Sequence, residues 1–281
     1  MINYLEDDIR QHIKEKYTGI FTPEHMERHF QDYVGFELAK TQLRQVQDVT
    51  GISEGQKILD IGCGYGSFVI VCRNSGLEAL GLDIAEYDIN FARKRLPLER
   101  PKDIPEKIFL LADGQNTGLP QNSFDVVTAW NILEHVPDFK LLIKEAFRLL
   151  KPGGTFITIA PNYLAFRQEA HYHLPWLPLF PRKLAHNYIL HHGLDPKFFD
   201  EDIHYVTGWG IQKALRNAGF QSEIPEIIKL DNPDLIHSSR LKEKILTLRK
   251  FHLLWILKGY YWLSFWNPFK SVIYIVARKP V

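Results

Sequence analysis

The sequence contains little cysteine, almost no net charge and no long uninterrupted hydrophobic run. Its 281 residues include 2 cysteines, and 34 Lys plus Arg against 33 Asp plus Glu give a formal net charge of +1. The two cysteines, Cys63 and Cys72, exclude a disulfide framework and favour a reducing compartment, so we expect a cytoplasmic protein. The near-neutral charge weighs against a general nucleic-acid binder, which would carry a strongly basic face.

No segment has the pattern of a signal peptide or of a membrane span. The first residues, MINYLEDDIR, are acidic where a secretory signal is basic, and no apolar region follows them. The most apolar stretch, 251–266, is interrupted by Lys258 and Gly259 and is short for a bilayer, which needs about 20 residues. Contact with a membrane surface remains open for this stretch.

Apolar runs alternate with helical patterns through the middle of the chain. The runs fall at 57–61, 78–82, 108–111, 126–129 and 155–160, and the helical patterns between them fall at 67–74, 85–96 and 139–150. This alternation predicts an α/β fold with a doubly wound parallel sheet, and the nearly all-apolar runs suit strands that are covered on both faces. Beyond 206 we expect a helix at 210–218, a strand at 222–228, a basic helix from about 235 and a last strand at 272–277.

The remaining length lies outside this pattern. Thr22, Pro23 and Glu24 predict the start of a helix, whose apolar spacing continues to Thr50 and Gly51. We therefore divide the chain into an N-terminal helical extension at 1–50 and a main domain at 51–281. That domain carries insertions at about 161–206 and 231–270.

A glycine-rich turn follows the first predicted strand, in ILDIGCGYG at 58–66. Gly62 and Gly64 allow positive φ and let the backbone approach a ligand. A dinucleotide fingerprint needs a third glycine where Ser67 or Val69 stands, and the phosphate-loop Gly-Lys-Ser/Thr is absent from the sequence. Asp60 would repel a pyrophosphate and attract an ammonium or sulfonium group. The loop therefore favours a cationic nucleotide without phosphate.

Two further acids follow the next two strands. Asp83 ends the second strand, where a carboxylate can accept hydrogen bonds from both hydroxyls of a ribose. Asp113 follows the third strand at the same edge of the sheet, within reach of an adenine amine. Together with the glycine turn they predict one nucleoside site.

The ordered motifs resemble the class I S-adenosylmethionine-dependent methyltransferases, in particular the ubiquinone-biosynthesis type. The motifs are ILDIGCGYG at 58–66, GLD at 81–83, ADG at 112–114, FDVV at 124–127, LEHV at 133–136 and LKPGG at 150–154. The resemblance spans about 51–160 and implies a Rossmann-like, mostly parallel seven-stranded sheet and S-adenosylmethionine as cofactor. It implies contact with the cofactor for Asp60, Gly62, Cys63, Gly64, Asp83, Ile84, Asp113, Gly114 and Asn131.

The acceptor side is less sharply defined. His135, in the segment after the fourth strand, is a candidate general base because a histidine pKa near about 6.5 suits that role, and His204 is a second candidate. The Glu134–His135 pair is also commonly a structural feature of a helix start. Some relatives bind a divalent metal with Glu-x-x-Glu-His and a later histidine. Here Asn131 replaces the first glutamate, which weighs against a metal.

Two added segments are chemically unusual. Six of the 12 histidines lie at 171–204 among aromatic residues, which suits either a lid over a partly apolar acceptor or a packed surface insertion. A stretch at 240–258 has six basic residues and one acid, Glu243, and precedes an apolar segment at 253–266 with three of the six tryptophans. That segment is predicted to be buried in the core, paired in a dimer or in peripheral contact with a membrane.

We expect a methyltransferase that acts on a small-molecule, lipid-linked or glycan-linked acceptor, more readily at oxygen than at carbon or nitrogen. A cofactor-binding scaffold without turnover is the alternative, and the intact glycines and the three acids Asp60, Asp83 and Asp113 argue against it. A nucleic-acid methyltransferase is disfavoured by the near-zero net charge. The sequence leaves the acceptor and the oligomeric state open.

Overall fold

The computed structural model describes residues 2–236, 238–265, 267 and 270–281. The strands within these residues are β1 Lys57–Ile61, β2 Glu78–Asp83, β3 Phe109–Leu111, β4 Phe124–Trp130, β5 Leu150–Pro161, β6 Arg167–Gln168, β7 Pro175–Trp176, β8 Gln221–Glu223 and β9 Val272–Arg278. Seven of them form one sheet in the order β3-β2-β1-β4-β5-β9-β8, and β6 pairs with β7 as a separate hairpin.

The seven-stranded sheet is mostly parallel, as predicted. Strands β1 to β5 pair in parallel, while β9 runs antiparallel to both β5 and β8. The chain moves outward from β1 to β3 on one side and from β4 to β5 on the other. The crevice for a ligand therefore lies at the carboxyl ends of β1 and β4, where the strand order reverses.

Helices cover both faces of this sheet. They are α1 Ile2–Tyr17, α2 Pro23–His29, α3 Glu37–Thr50, α4 Ser67–Asn74, α5 Glu86–Glu99, α6 Pro105–Ile108, α7 Phe139–Leu149, α8 Arg182–His191, α9 Lys197–Asp202, α10 Gly208–Ala218, α11 Pro225–Asp231, α12 Ser239–Lys250 and α13 Leu254–Phe265. Among the described residues, none of these helices is long and apolar enough to pass through a bilayer.

Neighbouring residues of a strand enter two different hydrophobic cores. Leu59 and Val127 pack with α1, α7 and α10, whereas Ile58 and Val126 pack with α3, α4 and α5. Successive side chains of a strand point to opposite faces, and both faces are buried here, so the strands are apolar at almost every position. Helices before residue 50 share these cores, and the domain boundary at 50 stays a prediction.

The single helix predicted from Thr22 to Thr50 is wrong in its middle. Thr22 caps α2 by accepting a hydrogen bond from the His25 N–H, as expected. A π-helical turn at Phe30–Val34 then ends at Gly35, whose N–H donates to Phe30 O, and α3 begins at Glu37. A Cβ on Gly35 would lie 2.1 Å from Gln31 O, so only glycine allows this tight turn.

The strand predicted at 222–228 is also wrong beyond its first residues. Strand β8 ends at Glu223, and Pro225 occupies the first turn of α11. A proline has no backbone N–H and its fixed φ fits a first helical turn, so the ladder stops and a helix starts.

The histidine-rich insertion at 161–206 contains the hairpin β6–β7 and the helices α8 and α9. Its two ends meet, since the Tyr163 N–H donates to Val206 O at 3.0 Å. Inside the insertion Trp176, Ile189 and Phe199 are buried and join the core shared with α1. The segment is therefore a packed unit, closed at its neck.

The C-terminal helices α12 and α13 form a small satellite beside α11. Leu254, Leu257 and Tyr261 of α13 pack on a minor core of Leu230, Ile236 and Ile245. The opposite side of α13 is exposed, so burial of the whole apolar segment in the main core is ruled out for the described residues. Trp266, which ends the predicted segment, lies outside the described residues.

Candidate active site

The glycine turn forms the floor of the crevice at the carboxyl end of β1. Gly62 and Gly64 have φ values of +75° and +49°, and the Gly62 and Cys63 N–H groups donate to Leu82 O. A Cβ on Gly62 would lie 2.7 Å from Ile132, whereas a Cβ on Gly64 would meet no atom within 4 Å. Gly62 is thus required by packing, and Gly64 leaves open space for a ligand.

Asp60 is a buried carboxylate at the end of β1. The Thr128 hydroxyl donates to its Oδ1 at 2.7 Å. Burial raises the pKa of Asp60 to about 7, and the Thr128 hydrogen bond only partly opposes this rise. Since Asp60 lines the crevice, a cationic ligand group there would stabilise its charged form.

Asp83 links the glycine turn to the second strand. Its Oδ2 accepts from the Gly64 N–H at 2.9 Å, and its Oδ1 accepts from the Ala85 N–H at 2.9 Å. A carboxylate oxygen has two lone pairs, so both oxygens retain capacity for ligand hydroxyls. Ile84 follows as an exposed apolar side chain at the crevice.

The structure separates two predicted cofactor residues from this group. Asp113 and Gly114 follow β3, and Asp113 Oδ1 accepts from the Gln115 N–H at 2.8 Å. Neither residue lines the crevice. Gly114 packs closely on Ile61, since a Cβ added to Gly114 would lie 2.5 Å from the Ile61 side chain. Their contact with an adenine stays a prediction.

The segment after β4 closes the other side of the crevice. Asn131 has a φ of +51° and its side-chain amide lies 3.5 Å from the Tyr33 hydroxyl. His135 Nδ1 lies 3.2 Å from the Asp202 carbonyl oxygen, which can only accept, so Nδ1 carries the proton. Burial lowers the pKa of His135 to about 3, so its ring is neutral near pH 7.

Glu134 is a site residue that the sequence analysis did not select for ligand binding. Its side chain is almost fully buried, lines the crevice, and its Oε2 has no hydrogen-bond partner among the described residues. Burial raises the pKa of Glu134 to about 7. A buried polar atom without a partner is costly, and a ligand hydrogen-bond donor would satisfy it.

His204 lies behind this segment instead of in the crevice. Its backbone N–H donates to the Glu134 carbonyl oxygen at 2.7 Å, and its side chain does not line the crevice. Within the described part of the chain, no group of three His, Cys, Asp or Glu side chains is placed to hold a metal ion.

The crevice opens into one cavity of about 930 Å³. Helices α1 and α2 with the π-helical turn form its roof, and the insertion at 161–206 forms its far wall. Roof and wall meet through aromatic contacts, including the stacked rings of His25 and His173, 3.7 Å apart. A volume near the upper end of the usual range, about 300–1,000 Å³, gives room for a nucleoside and a second ligand.

Roof residues of the cavity were not predicted as site residues. His29 and Tyr33 both line it, and burial lowers the pKa of His29 to about 3 and raises that of Tyr33 to about 12. Tyr17 and Phe21 flank His29 with ring centroids at 4.8 and 5.6 Å. The roof around His29 is therefore an aromatic surface, although the charged side chains of Lys16 and Arg28 also line the cavity.

Comparison with known proteins finds similar methyltransferase domains over part of this chain. Residues 59–158 match the family model described as a methyltransferase domain. The chain is 38% identical over 132 residues to a ubiquinone biosynthesis O-methyltransferase of Idiomarina loihiensis, covering 44% of this chain and 52% of that protein. It is 37% identical over 108 residues to a sterol 24-C-methyltransferase of Aspergillus fumigatus, covering 38% of this chain and 28% of that protein.

The match to these relatives is partial. The chain spans about half the length of the first and less than a third of the second. Among solved structures, a phosphoethanolamine N-methyltransferase 2 of Haemonchus contortus, in complex with S-adenosylhomocysteine, superposes with a TM-score of 0.53. That superposition covers 86% of this chain and 53% of the other at 18% identity, which establishes a shared fold.

Proposed function

We propose that this chain, which contains a class I S-adenosylmethionine-dependent methyltransferase domain of the ubiquinone-biosynthesis-like group, methylates a small-molecule, lipid-linked or glycan-linked acceptor at oxygen. The main support is one cavity with two unlike halves. One half has the glycine turn with Asp60 and Asp83, and the other has the aromatic roof and the histidine-rich wall. Such a cavity can hold a methyl donor and a partly apolar acceptor in contact, which lowers the barrier by orientation.

The residues of the first half fit S-adenosylmethionine. The open space at Gly64 admits a ligand chain, and the buried Asp60 carboxylate suits an adjacent cation. We assign Asp60, Gly62, Cys63 and Gly64 to the methionine part, Asp83 and Ile84 to the ribose, and Asp113 and Gly114 to the adenine. Asn131 would lie beside the methionine part.

Bound S-adenosylmethionine would supply an electrophilic methyl group on a sulfonium. The chain's own task is then to exclude water, to orient the acceptor and to take its proton. The aromatic roof around His29 and Tyr33 suits exclusion of water, and Glu134 suits a hydrogen bond from the acceptor.

Turnover is tested by release of S-adenosylhomocysteine when the protein is incubated with S-adenosylmethionine and a lipid extract or a water-soluble extract of the source cells. We expect release with one extract and transfer of an isotope-labelled methyl group to a product. Tight binding of S-adenosylmethionine without any release would favour the scaffold alternative. Release that requires RNA or DNA would favour a nucleic-acid methyltransferase instead.

As part of this proposal, α12 and α13 contact an anionic membrane surface. The exposed side of α13 and the turn before it carry the C-terminal apolar patch, defined as Phe251, Leu253, Trp255, Ile256, Tyr260, Trp262 and Leu263. Trp255 is 70% and Leu263 67% exposed. A contiguous apolar patch of this kind is typical of an interaction site.

The chemistry of the patch suits lipid headgroups more than a protein partner. Tryptophan and tyrosine prefer the membrane interface, where the ring is in an apolar and the N–H or O–H group in a wet environment. Arg240, Lys244 and Lys250 of the adjacent α12 are exposed, whereas Lys242 and Lys258 pair with Asp234 and Asp231. Each exposed cation near an anionic surface adds about 1 kcal/mol of attraction.

Co-sedimentation with vesicles tests this contact. We expect binding to phosphatidylglycerol–phosphatidylcholine vesicles at low salt, weaker binding to phosphatidylcholine alone, and about a tenfold loss in a Trp255→Ser/Trp262→Ser variant. Trp209→Ser, at an exposed tryptophan of α10, is the matched control and should bind as the wild type does. Absence of vesicle binding together with a dimer in sedimentation velocity would contradict the proposal and assign the patch to a second copy.

A further inference from the structure

A buried carboxylate and a histidine form a pair on the insertion side of the cavity. Glu169 and His171 lie in the turn of the β6–β7 hairpin, with Glu169 Oε1 3.3 Å from His171 Nδ1. The Glu169 side chain has no exposed surface. His171 lines the cavity that also contains the glycine turn.

Glu169 is held by the hairpin itself. Its Oε1 accepts from the Tyr163 hydroxyl at 2.9 Å, and its Oε2 accepts from the His171 and Tyr172 N–H groups at 2.6 and 2.8 Å. Burial alone would raise the pKa of Glu169, but the His171 imidazole and the backbone hydrogen bonds outweigh burial and bring it well below its ordinary value. Glu169 therefore stays a carboxylate and can only accept hydrogen bonds.

An acceptor-only partner fixes the tautomer of the neutral His171 ring. The proton lies on Nδ1, facing Glu169, and Nε2 keeps its lone pair. Nε2 has no hydrogen bond to any described residue and is not fully buried. The ring is positioned by His135 and Phe198, each with its centroid 5.1 Å away.

His135, the base predicted from the sequence, has a weaker carboxylate contact, since its Nε2 lies 3.9 Å from Glu134 Oε1. Its Nδ1 faces the carbonyl oxygen of Asp202, which carries no full charge to stabilise an imidazolium. Its pKa, lowered to about 3 by burial, makes it a weak proton acceptor at neutral pH. A general base is most effective when its conjugate acid has a pKa near the working pH.

We propose that His171 is the general base that takes the proton of the acceptor hydroxyl, and that Glu169 is a positioning residue that orients its ring. This inference rests on the proposed methyl transfer to oxygen. In the step, the acceptor oxygen forms a bond to the methyl carbon while the carbon–sulfur bond breaks and its electron pair goes to sulfur. The hydroxyl proton goes to Nε2 of His171, and the resulting imidazolium faces the Glu169 carboxylate.

The first test uses the extract that supports release of S-adenosylhomocysteine. We expect His171→Ala to lower kcat about 100- to 10,000-fold, with the affinity for S-adenosylmethionine unchanged, and added imidazole to restore part of the rate. His186→Ala is the control, because His186 pairs with Asp200 at 2.6 Å and does not line this cavity. A kcat within twofold of the wild type in His171→Ala would overturn the inference and leave the methyltransferase proposal intact.

The second test asks whether Glu169 orients the His171 ring or only stabilises the hairpin. In Glu169→Gln, we expect the acidic limb of the kcat profile to move to lower pH, since the partner of the imidazolium has lost its charge. Nitrogen-15 NMR of labelled histidine, with the His171 signal identified from His171→Ala, should give the Nδ1–H tautomer in the wild type without any acceptor. The Nε2–H tautomer, or an acidic limb that does not move, would overturn the inference.

Other titratable side chains lie near His171 and must be considered in the pH profile and the NMR experiment. They are Glu134, His135, His29 and His173. Glu134→Gln should leave the tautomer of His171 unchanged, because Glu134 does not hydrogen-bond to it. If the wild type binds S-adenosylmethionine but releases no product with any extract, the proposed function fails and this inference fails with it.

Discussion

Two buried carboxylates, Asp60 in the cavity lining and Glu169 behind the lining residue His171, have pKa values shifted in opposite directions. Asp60, below the glycine turn, has one side-chain donor, Thr128, and burial raises its pKa to about 7. Glu169, in the hairpin turn, accepts four hydrogen bonds from the chain, and its pKa is lowered. The protein itself provides four donors to Glu169, whereas it provides one side-chain donor to Asp60, which leaves Asp60 suited to the cationic ligand that we propose.

The largest contrast is expected in stability. Glu169→Ala leaves the Tyr163 hydroxyl, two backbone N–H groups and the His171 ring without an acceptor, and each buried donor costs about 1–3 kcal/mol. We expect a loss of about 3–5 kcal/mol in the free energy of unfolding, measured by urea denaturation. Asp60→Ala leaves only the Thr128 hydroxyl without its acceptor and should lower the free energy of unfolding by about 1 kcal/mol. Equal losses in the two variants would contradict the comparison.

The next contrast concerns the affinity for the cofactor. Asp83→Ala removes the carboxylate assigned to the ribose, and two hydrogen bonds to a charged group correspond to about a 100-fold loss. Isothermal titration calorimetry with S-adenosylmethionine measures it. Glu169→Gln, in the insertion and outside the cavity lining, should bind S-adenosylmethionine within about twofold of the wild type. Unchanged affinity in Asp83→Ala would disprove the assignment of the ribose site.

The pH dependence of binding tests the charge state of Asp60. Below pH 7 Asp60 is mostly protonated in the free protein, so binding of a cation must displace a proton. We expect the affinity for S-adenosylmethionine to rise about tenfold from pH 6 to pH 8, with release of about one proton. Asp60→Asn should bind more weakly and lose this pH dependence. If Asp60→Asn releases the same number of protons on binding as the wild type, the ionising group is a different residue, and Glu134 is the first candidate.

The smallest effect concerns how the free energy of unfolding of the ligand-free protein depends on pH. The pKa values of Asp60 and Glu134 are raised on folding to about 7. The contribution of these two groups to the free energy of unfolding is therefore fully present below the pKa of an ordinary carboxyl group and is lost as pH rises through about 7. We expect the free energy of unfolding to fall by about 1 kcal/mol or more from pH 5 to pH 8. Glu134→Gln should flatten part of this slope in urea titrations at fixed ionic strength, and an unchanged slope would exclude Glu134.

The cofactor wall was predictable because its chemistry is local in sequence. Asp60 lies near the end of β1, Gly62 and Gly64 follow that strand, and Asp83 ends β2, so strand alternation alone places them at one edge. The sheet was predictable for the same reason. Only glycine fits at Gly35, because a Cβ there would clash with the Gln31 carbonyl oxygen. This clash exists only in the folded backbone, so the sequence pattern did not predict the interruption of the helix.

The acceptor wall was less predictable because its partners meet only after folding. The pair of Glu169 and His171 is close in sequence, but its position in the cavity depends on how the insertion packs against β5 and α1. The unpartnered oxygen of Glu134 is a property of burial, which the motif LEHV does not encode. His204 was selected by its residue type, and its backbone instead of its ring contacts the active segment.

The hydrogen bond from the Tyr163 N–H to Val206 O closes the insertion at its neck, so the chain leaves the sheet after β5 and returns before α10 at nearly the same point. The insertion is thus one continuous segment attached at a single place, although Trp176, Ile189 and Phe199 within it pack in the core that the sheet shares with α1. Under the proposed function, replacement of this segment would change the far wall of the cavity and leave the glycine turn at Gly62 and Gly64 unchanged. Because α1 and α2 line the same cavity as the insertion, a new acceptor would also require changes in the roof.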